Sequence, residues 1–151
     1  MREIAWFPVH LRPVDKDNWQ ACAAIRPAPG QERFVASVAF YLCLCHYEQP
    51  WRPLAVCSGA DVVGHVMWGV DPEDGGYWIG GLVIDAQRQR EGHGRAAVAT
   101  LLQQFRDAGA VEAALSYQSE NAPARALYAS LGFRETGERT DGEVVARMPL
   151  R

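Results

Sequence analysis

The sequence predicts an α/β fold around one mixed sheet, and three observations carry that prediction. Short apolar runs alternate with stretches of helical spacing, three such runs follow one another from Leu54 to Asp85 as a meander, and an Asp141-Gly142 turn joins the last two. The order read from them is β-α-α-β-β-β-α-β-α-β-β. With 151 residues and 48% hydrophobic side chains, the chain fits one compact domain over residues 1–151.

Each element has a local reason. Val9 to Val14 alternates apolar and polar positions and reads as an opening strand. Asp15 or Asp17 then caps a short helix that must end before Pro27, because proline removes a donor and disfavours α geometry in the residue before it. Between Gln31 and Tyr47 the residues Phe34, Val35, Val38, Ala39, Leu42 and Cys45 recur at helical spacing, and Pro50 and Pro53 end that run. Leu54 to Ser58 and Val62 to Val70 form an antiparallel pair across Gly59-Ala60-Asp61, and Tyr77 to Asp85 follows after an acidic, glycine-rich loop. Arg95 to Asp107 carries Ala97, Val98, Leu101, Leu102 and Phe105 on one stripe and is followed by Gly109. Glu112 to Tyr117 reads as a strand, and Pro123 to Leu131 as a helix with proline at its start and Gly132 past its end. Phe133 to Thr136 and Val144 to Leu150 close the sheet.

Composition excludes several classes. A formal net charge of −3, with arginines scattered, gives no basic stripe for nucleic acid. No apolar run approaches the roughly 18 residues of a membrane span, and Arg2, Glu3, His10 and Arg12 break any secretory leader pattern, so a cytoplasmic location is expected. Cys22, Cys43, Cys45 and Cys57 lack the paired spacing of zinc or redox sites; they read as buried reduced thiols, and no metal is expected.

Chemistry concentrates at Gln89-Arg90-Glu91-Gly92-His93-Gly94-Arg95, between a strand and a helix. Two near-adjacent glycines at a helix start expose amides that lack partners, and the helix dipole favours an anion there. The stretch is expected to grip a phosphate. Further on comes Asn121-Ala122-Pro123-Ala124-Arg125-Ala126-Leu127-Tyr128-Ala129-Ser130-Leu131-Gly132-Phe133.

Together these residues resemble the GNAT superfamily of acetyl-CoA-dependent N-acetyltransferases. Gln89, Gly92 and Gly94 meet its Q/R-x-x-G-x-G/A motif, and the run from Asn121 to Phe133 looks like N-x-x-A-x-x-L-Y-x-x-x-G-F. The chain is most similar in appearance to diamine and spermidine acetyltransferases. The resemblance implies a mixed, mostly antiparallel central sheet with helices on both faces, and acetyl-CoA (coenzyme A) as the cofactor. It implies that the amides of Arg90, Glu91, Gly92, His93, Gly94 and Arg95 hold the pyrophosphate. It also implies that the backbone of Leu82, Val83 and Ile84 pairs with the pantetheine like an added strand, and that Asn121 touches the pantetheine arm or a phosphate. Arg90, Glu91 and His93 depart from the family's usual glycine, basic and aliphatic residues. A homodimer is common in the family and is implied here.

Acetyl transfer to an amine requires a neutral nucleophile, yet an amine of pKa near 10 is only about one-thousandth neutral at pH 7. It also expels a thiolate, which a nearby phenol can protonate. Tyr128 is the expected acid by its place in the signature; the alternative is a packed core aromatic. No carboxylate stands at Gly80 or Gly81, where the family often places one. Glu32, Glu48, Asp71, Glu73 and Asp74 are the acidic candidates for the acceptor side, each alternatively a solvated surface charge. His46 and His65 are further candidates, alternatively packed or surface groups. Trp51, Trp68, Tyr77 and Trp78 read as core, with one or two free to wall the acceptor pocket, and Gly80 could admit a bulky group close to the backbone.

The expected function is therefore acetylation of a small-molecule primary amine, with a polyamine or diamine foremost and an aminoglycoside-type antibiotic or protein amine as alternatives. A non-catalytic acetyl-CoA-binding module stands beside it, because the base is missing. A dinucleotide-binding oxidoreductase would explain Gly92-x-Gly94-x-x-Ala97 with Glu120 downstream. Ala86 to Glu91 intervene after the strand, however, and too little chain follows Glu120 for a second half-sheet.

Overall fold

The computed structural model describes residues 9–151, so Arg2 and Glu3 lie outside the described residues. Among the described residues seven strands form one sheet: β1 (Val9–Pro13), β2 (Arg52–Ser58), β3 (Asp61–Val70), β4 (Tyr77–Ile84), β5 (Glu112–Tyr117), β6 (Arg134–Thr140) and β7 (Glu143–Pro149). Their order is β1-β2-β3-β4-β5-β7-β6, and every neighbouring pair is antiparallel except β4 with β5. Four helices, α1 (Trp19–Ala23), α2 (Val38–Tyr47), α3 (His93–Asp107) and α4 (Ala122–Leu131), and a 3-10 turn over Ala86–Arg88 fall between the strands in the expected order. A mostly antiparallel sheet of this order is not the doubly wound parallel sheet of a dinucleotide-binding fold.

The sheet carries a core on each face. Leu54, Val56, Val66, Ile79, Leu115 and Ala146 pack with Ala97, Val98, Leu101, Leu102 and Phe105 of α3, the stripe that the sequence offers. Each large side chain so buried is worth about 1.5–3 kcal/mol. On the other face Cys22 and Ile25 near α1 and Val38 of α2 meet Ala55, Cys57 and Val83.

Boundaries moved where caps outweighed periodicity. The second helix starts at Val38 rather than near Gln31, because the Ser37 side chain accepts from Phe40 N at 3.1 Å while Gln31 to Phe34 form turns. Asp15 does not cap α1 directly. Its Oδ1 accepts from Asp17 N and Asn18 N, and Asn18 is the residue before the helix. α3 begins at His93, so Gly94 lies inside its first turn. β6 runs to Thr140 and is exposed throughout, which hides it from a search for apolar alternation. Cys43 is exposed, contrary to the expectation of four buried thiols; Cys22, Cys45 and Cys57 are buried. Burial pushes the Cys22 thiol up to about 12 and Cys45 to about 11, so both stay protonated. No helix of the described residues is long and apolar enough to cross a membrane.

Candidate active site

The site begins where the sheet opens. β4 and β5 pair only at Tyr77↔Ala113 and Trp78↔Ala114, so from Ile79 to Ile84 the edge of β4 that faces β5 has no strand partner among the described residues. On its other side β4 slips against β3 by one residue between Gly80 and Val83, and Gly81 sits in this bulge at φ +60°. The bulge, absent from the sequence reading, explains the glycine pair. A Cβ on Gly80 would stand 3.1 Å from Met67 Cε and 3.4 Å from Trp51, so the missing side chain makes room for protein packing. Along the gap runs a cavity of about 1140 Å3.

At one end of the cavity the chain turns from β4 into α3. Arg90 at φ +63° and Gly92 at φ +82° are both left-handed, a pattern that turns successive amides toward one concavity. Glycine adopts this geometry freely; at Arg90 it costs about 1–2 kcal/mol. A Cβ on Gly94 would meet only ordinary contacts, Ile84 Cγ1 at 3.6 Å and Leu127 and Leu82 methyls at 3.8 Å. Glu91 is drawn away from this cradle: its Oε1 accepts from Arg88 Nε at 2.9 Å and meets His93 Nε2 at 2.7 Å. Those two partners, Arg88 first, hold its carboxyl below the usual range. The departures at Glu91 and His93 therefore form one internal network. Gln89 lines the cavity, with its amide donating to Ile84 O at 2.9 Å and Gln31 Oε1 at 3.3 Å. Arg88 is paired with Asp61 and Glu91 and Arg95 donates to Ser130 Oγ, so Arg90 and Arg95 are the cations of this loop without a carboxylate partner among the described residues.

Deeper in, α4 delivers Tyr128 to the cavity wall. Asn121 caps this helix, its Oδ1 accepting from Ala124 N at 3.3 Å, and Gly132 ends it at φ +111°. Tyr128 stacks on Tyr117 at 5.9 Å and meets Phe133 edge-on, yet among the described residues its hydroxyl has no hydrogen-bond partner. Burial, and then the neighbouring Tyr41, Tyr117 and Glu143, raise its pKa above the ordinary 10. The phenol is thus a proton carrier at any working pH, and a weaker acid than a free tyrosine.

Facing it are Tyr41 and Glu143, which the sequence did not single out, while the candidate His65 lies behind Tyr41, outside the cavity lining. Tyr41 of α2 accepts from Ala36 N at 3.0 Å, which leaves its own proton to donate, and its ring stacks on His65 at 5.7 Å. His65 is fully buried with Nδ1 2.8 Å from Gly81 O, and Nε2 has no partner. Glu143 opens β7 and lines the cavity with its Oε1 accepting from Ser116 Oγ at 2.8 Å. Period-two alternation puts it on the face of Val145 and Arg147, but nothing in the sequence told which face looks into the opening.

Of the expected acceptor-side residues, Glu48, Asp71, Trp78 and Gly80 line the cavity, as do Leu82, Val83 and Ile84. Glu32, Glu73 and Asp74 are exposed and outside it, and Asp74 shapes the hairpin loop by accepting from Gly76 N at 2.8 Å. Asp71 does the same for Glu73 N at 2.9 Å. His46 is exposed and meets Tyr47 edge-on. Among the described residues no three His, Cys, Asp or Glu side chains gather as metal ligands.

A free strand edge that leads into an amide-lined, cationic loop is a seat for a long anionic carrier with its reactive end in the gap, the layout of an acyl-transfer enzyme. Residues 15–133 match the model of the acetyltransferase (GNAT) family, and the chain belongs to that family. Its donor is acetyl-CoA, and the unpaired β4 edge and the left-handed loop at Arg90 and Gly92 fit that group.

The spermine/spermidine N(1)-acetyltransferase of Bacillus subtilis (strain 168) is 27% identical over 142 residues, covering 86% of this chain and 90% of that protein. Human N-acetyltransferase 8 is 40% identical over 57 residues, 38% of this chain and 25% of that one. Among solved structures, the ribosomal-protein-S18-alanine N-acetyltransferase of Escherichia coli superposes with a TM-score of 0.70 at 20% identity, covering 94% of each chain. The PaiA N-acetyltransferase of Thermoplasma acidophilum, crystallised with coenzyme A, gives 0.72 at 8% identity over 93% of this chain and 98% of that one. These similar structures speak for the fold.

Proposed function

We propose that this chain acetylates a primary amine of a small cationic molecule, a polyamine or diamine foremost, with acetyl-CoA as donor. The observation that carries the reading is the segregation of charge along the cavity. Arg88, Arg90 and Arg95 all come from the loop before and into α3, whereas Glu48, Asp71, Asp141 and Glu143 all come from the end of α2, the β3–β4 loop and the β6–β7 hairpin. Cations suit the diphosphate of a carrier, and carboxylates beside Trp51 and Trp78 suit an ammonium. The spermine/spermidine enzyme of B. subtilis supports the choice of polyamine.

In this reading the amides from Arg90 to Arg95 bind the diphosphate, and Leu82, Val83 and Ile84 pair with the pantetheine through their backbone groups. Asn121, whose side-chain oxygen is used as a cap, is left with its amide nitrogen to donate. Bound acetyl-CoA supplies an activated acyl carbon. Tyr128 holds a proton toward the sulfur and releases it as the thiolate leaves. Trp78, whose indole Nε1 is buried without a partner, is held under the Arg147 guanidinium at 5.4 Å and walls the acceptor end. The cytoplasmic location expected from the sequence and the homodimer implied by the family resemblance belong to the same proposal.

Thiol release from acetyl-CoA across a panel of spermidine, putrescine, an aminoglycoside and an amino-terminal peptide tests it. Spermidine or putrescine is expected to give the highest kcat/KM. Preference for the aminoglycoside or the peptide would overturn the polyamine assignment. Calorimetric binding of acetyl-CoA with no thiol released by any amine would make the chain a binding module.

A further inference from the structure

We infer that Glu143 is the proton acceptor for the incoming ammonium, an inference that rests on the acetyl-transfer reading above. The strand register brings its neighbours together. Ser116 of β5 stands opposite Val145, one residue to each side of which β7 alternates, so the next side chain on that face is Glu143. Ser116 Oγ reaches it at 2.8 Å and fixes one carboxylate oxygen, leaving the second to turn into the cavity. The half-buried carboxylate shares this cavity with Tyr41 of α2 and Tyr128 of α4. An ammonium seated among them would touch a base on one side and have the sulfur's proton donor on another.

Two further facts agree. Glu143 is among the groups whose charge, after burial, raises the pKa of both Tyr41 and Tyr128, which places its negative field at the phenol that must stay protonated. The family's usual carboxylate positions are taken by Gly80 and Gly81, where a side chain would strike Met67, Trp51 or His65, so β4 leaves the task to another strand. Glu48 and Asp71 also line the cavity, but neither is among the charges that reach the Tyr128 phenol.

The step balances as follows. Glu143 takes one proton from the ammonium and passes it to water. The freed lone pair forms the C–N bond to the acyl carbon, and the C–S bond breaks. Tyr128 gives its proton to the departing sulfur and is reprotonated from the nitrogen, so the products are an amide, a thiol and one proton released.

Glu143→Gln tests this, because its carboxamide oxygen can still accept from Ser116. With spermidine at pH 7, kcat should fall about a hundredfold and recover as pH rises toward the amine's own pKa. With a weakly basic hydroxylamine, already neutral at pH 7, the loss should shrink to less than about tenfold, and acetyl-CoA affinity by calorimetry should be unchanged. Equal loss for both acceptors, a wild-type kcat at pH 7, or a change confined to KM would each overturn the role. If Glu143→Gln does not fold, Ser116→Ala decides: a kcat lowered several-fold with a more alkaline pH profile supports the base, and an unaltered profile overturns it. A wild-type protein that acetylates no amine refutes the underlying function instead.

Discussion

Replacing His65 with asparagine should remove most of this protein's sensitivity to mild acid. The ring is fully buried against Tyr41, and burial, offset in part by the hydrogen bond to Gly81 O, lowers its pKa from 6.5 to about 4. The folded chain therefore holds the imidazole neutral while the unfolded chain can charge it. Unfolding takes up a proton in this range, so the contribution to stability is complete above pH 6.5 and is lost as pH falls toward 4. Two and a half pH units at about 1.4 kcal/mol each amount to about 3 kcal/mol, of which about 2 has gone by pH 5. Asparagine keeps an N–H for the Gly81 carbonyl and does not titrate. Urea denaturation followed by tryptophan fluorescence, at about pH 7.5 and about pH 5, measures both proteins. The advantage of wild type over His65→Asn should shrink by about 2 kcal/mol across that interval, while carboxylates such as Glu91 and Glu135, common to both, cancel. Stability curves that run parallel would refute the buried neutral imidazole.

Two further outcomes concern the cofactor side. Tyr128→Phe should lower kcat ten- to hundredfold, roughly 1–3 kcal/mol of barrier, with acetyl-CoA affinity by calorimetry unaltered; the hydroxyl has no partner among the described residues, so stability should change little. Gly94→Val should fold, since a Cβ there meets only ordinary contacts at 3.6–3.8 Å, yet bind acetyl-CoA at least tenfold more weakly because the branches would crowd the cradle. Wild-type affinity in that variant would move the diphosphate elsewhere.

The order of elements was legible because nearly every boundary carries a local signal: Pro27 and Pro50 stop the early helices, Asp141-Gly142 turns the last hairpin at φ +49° and +81°, and the α3 stripe has a clear helical period. β6 was cut short for want of such a signal, since Arg134 to Thr140 buries nothing. The geometry of the loop from Gln89 to Arg95 was legible for a related reason, as left-handed backbone and bare amides are properties of a short segment. The acceptor side was legible only in part: Glu48, Asp71, Trp78 and Gly80, named from the sequence, do line the cavity. Glu143 and Tyr41 come from β7 and α2, and their meeting depends on sheet register and on how α2 packs on the sheet. Glu32 was misplaced by the same ignorance, because residues 31–37 turn rather than coil and carry it to the surface.

The parting of β4 from β5 after two rungs leaves a seven-stranded sheet as two leaves joined by a short seam, one of four strands and one of three. In the proposed mode of binding, donors and acceptors that would ordinarily knit the leaves together pair with the ligand instead, so its arrival would finish the architecture as well as equip it for reaction. Tight grip on the carrier and stiffness of the sheet then draw on the same few peptide groups, and a variant that zipped the seam shut would gain rigidity by closing the door on its own chemistry.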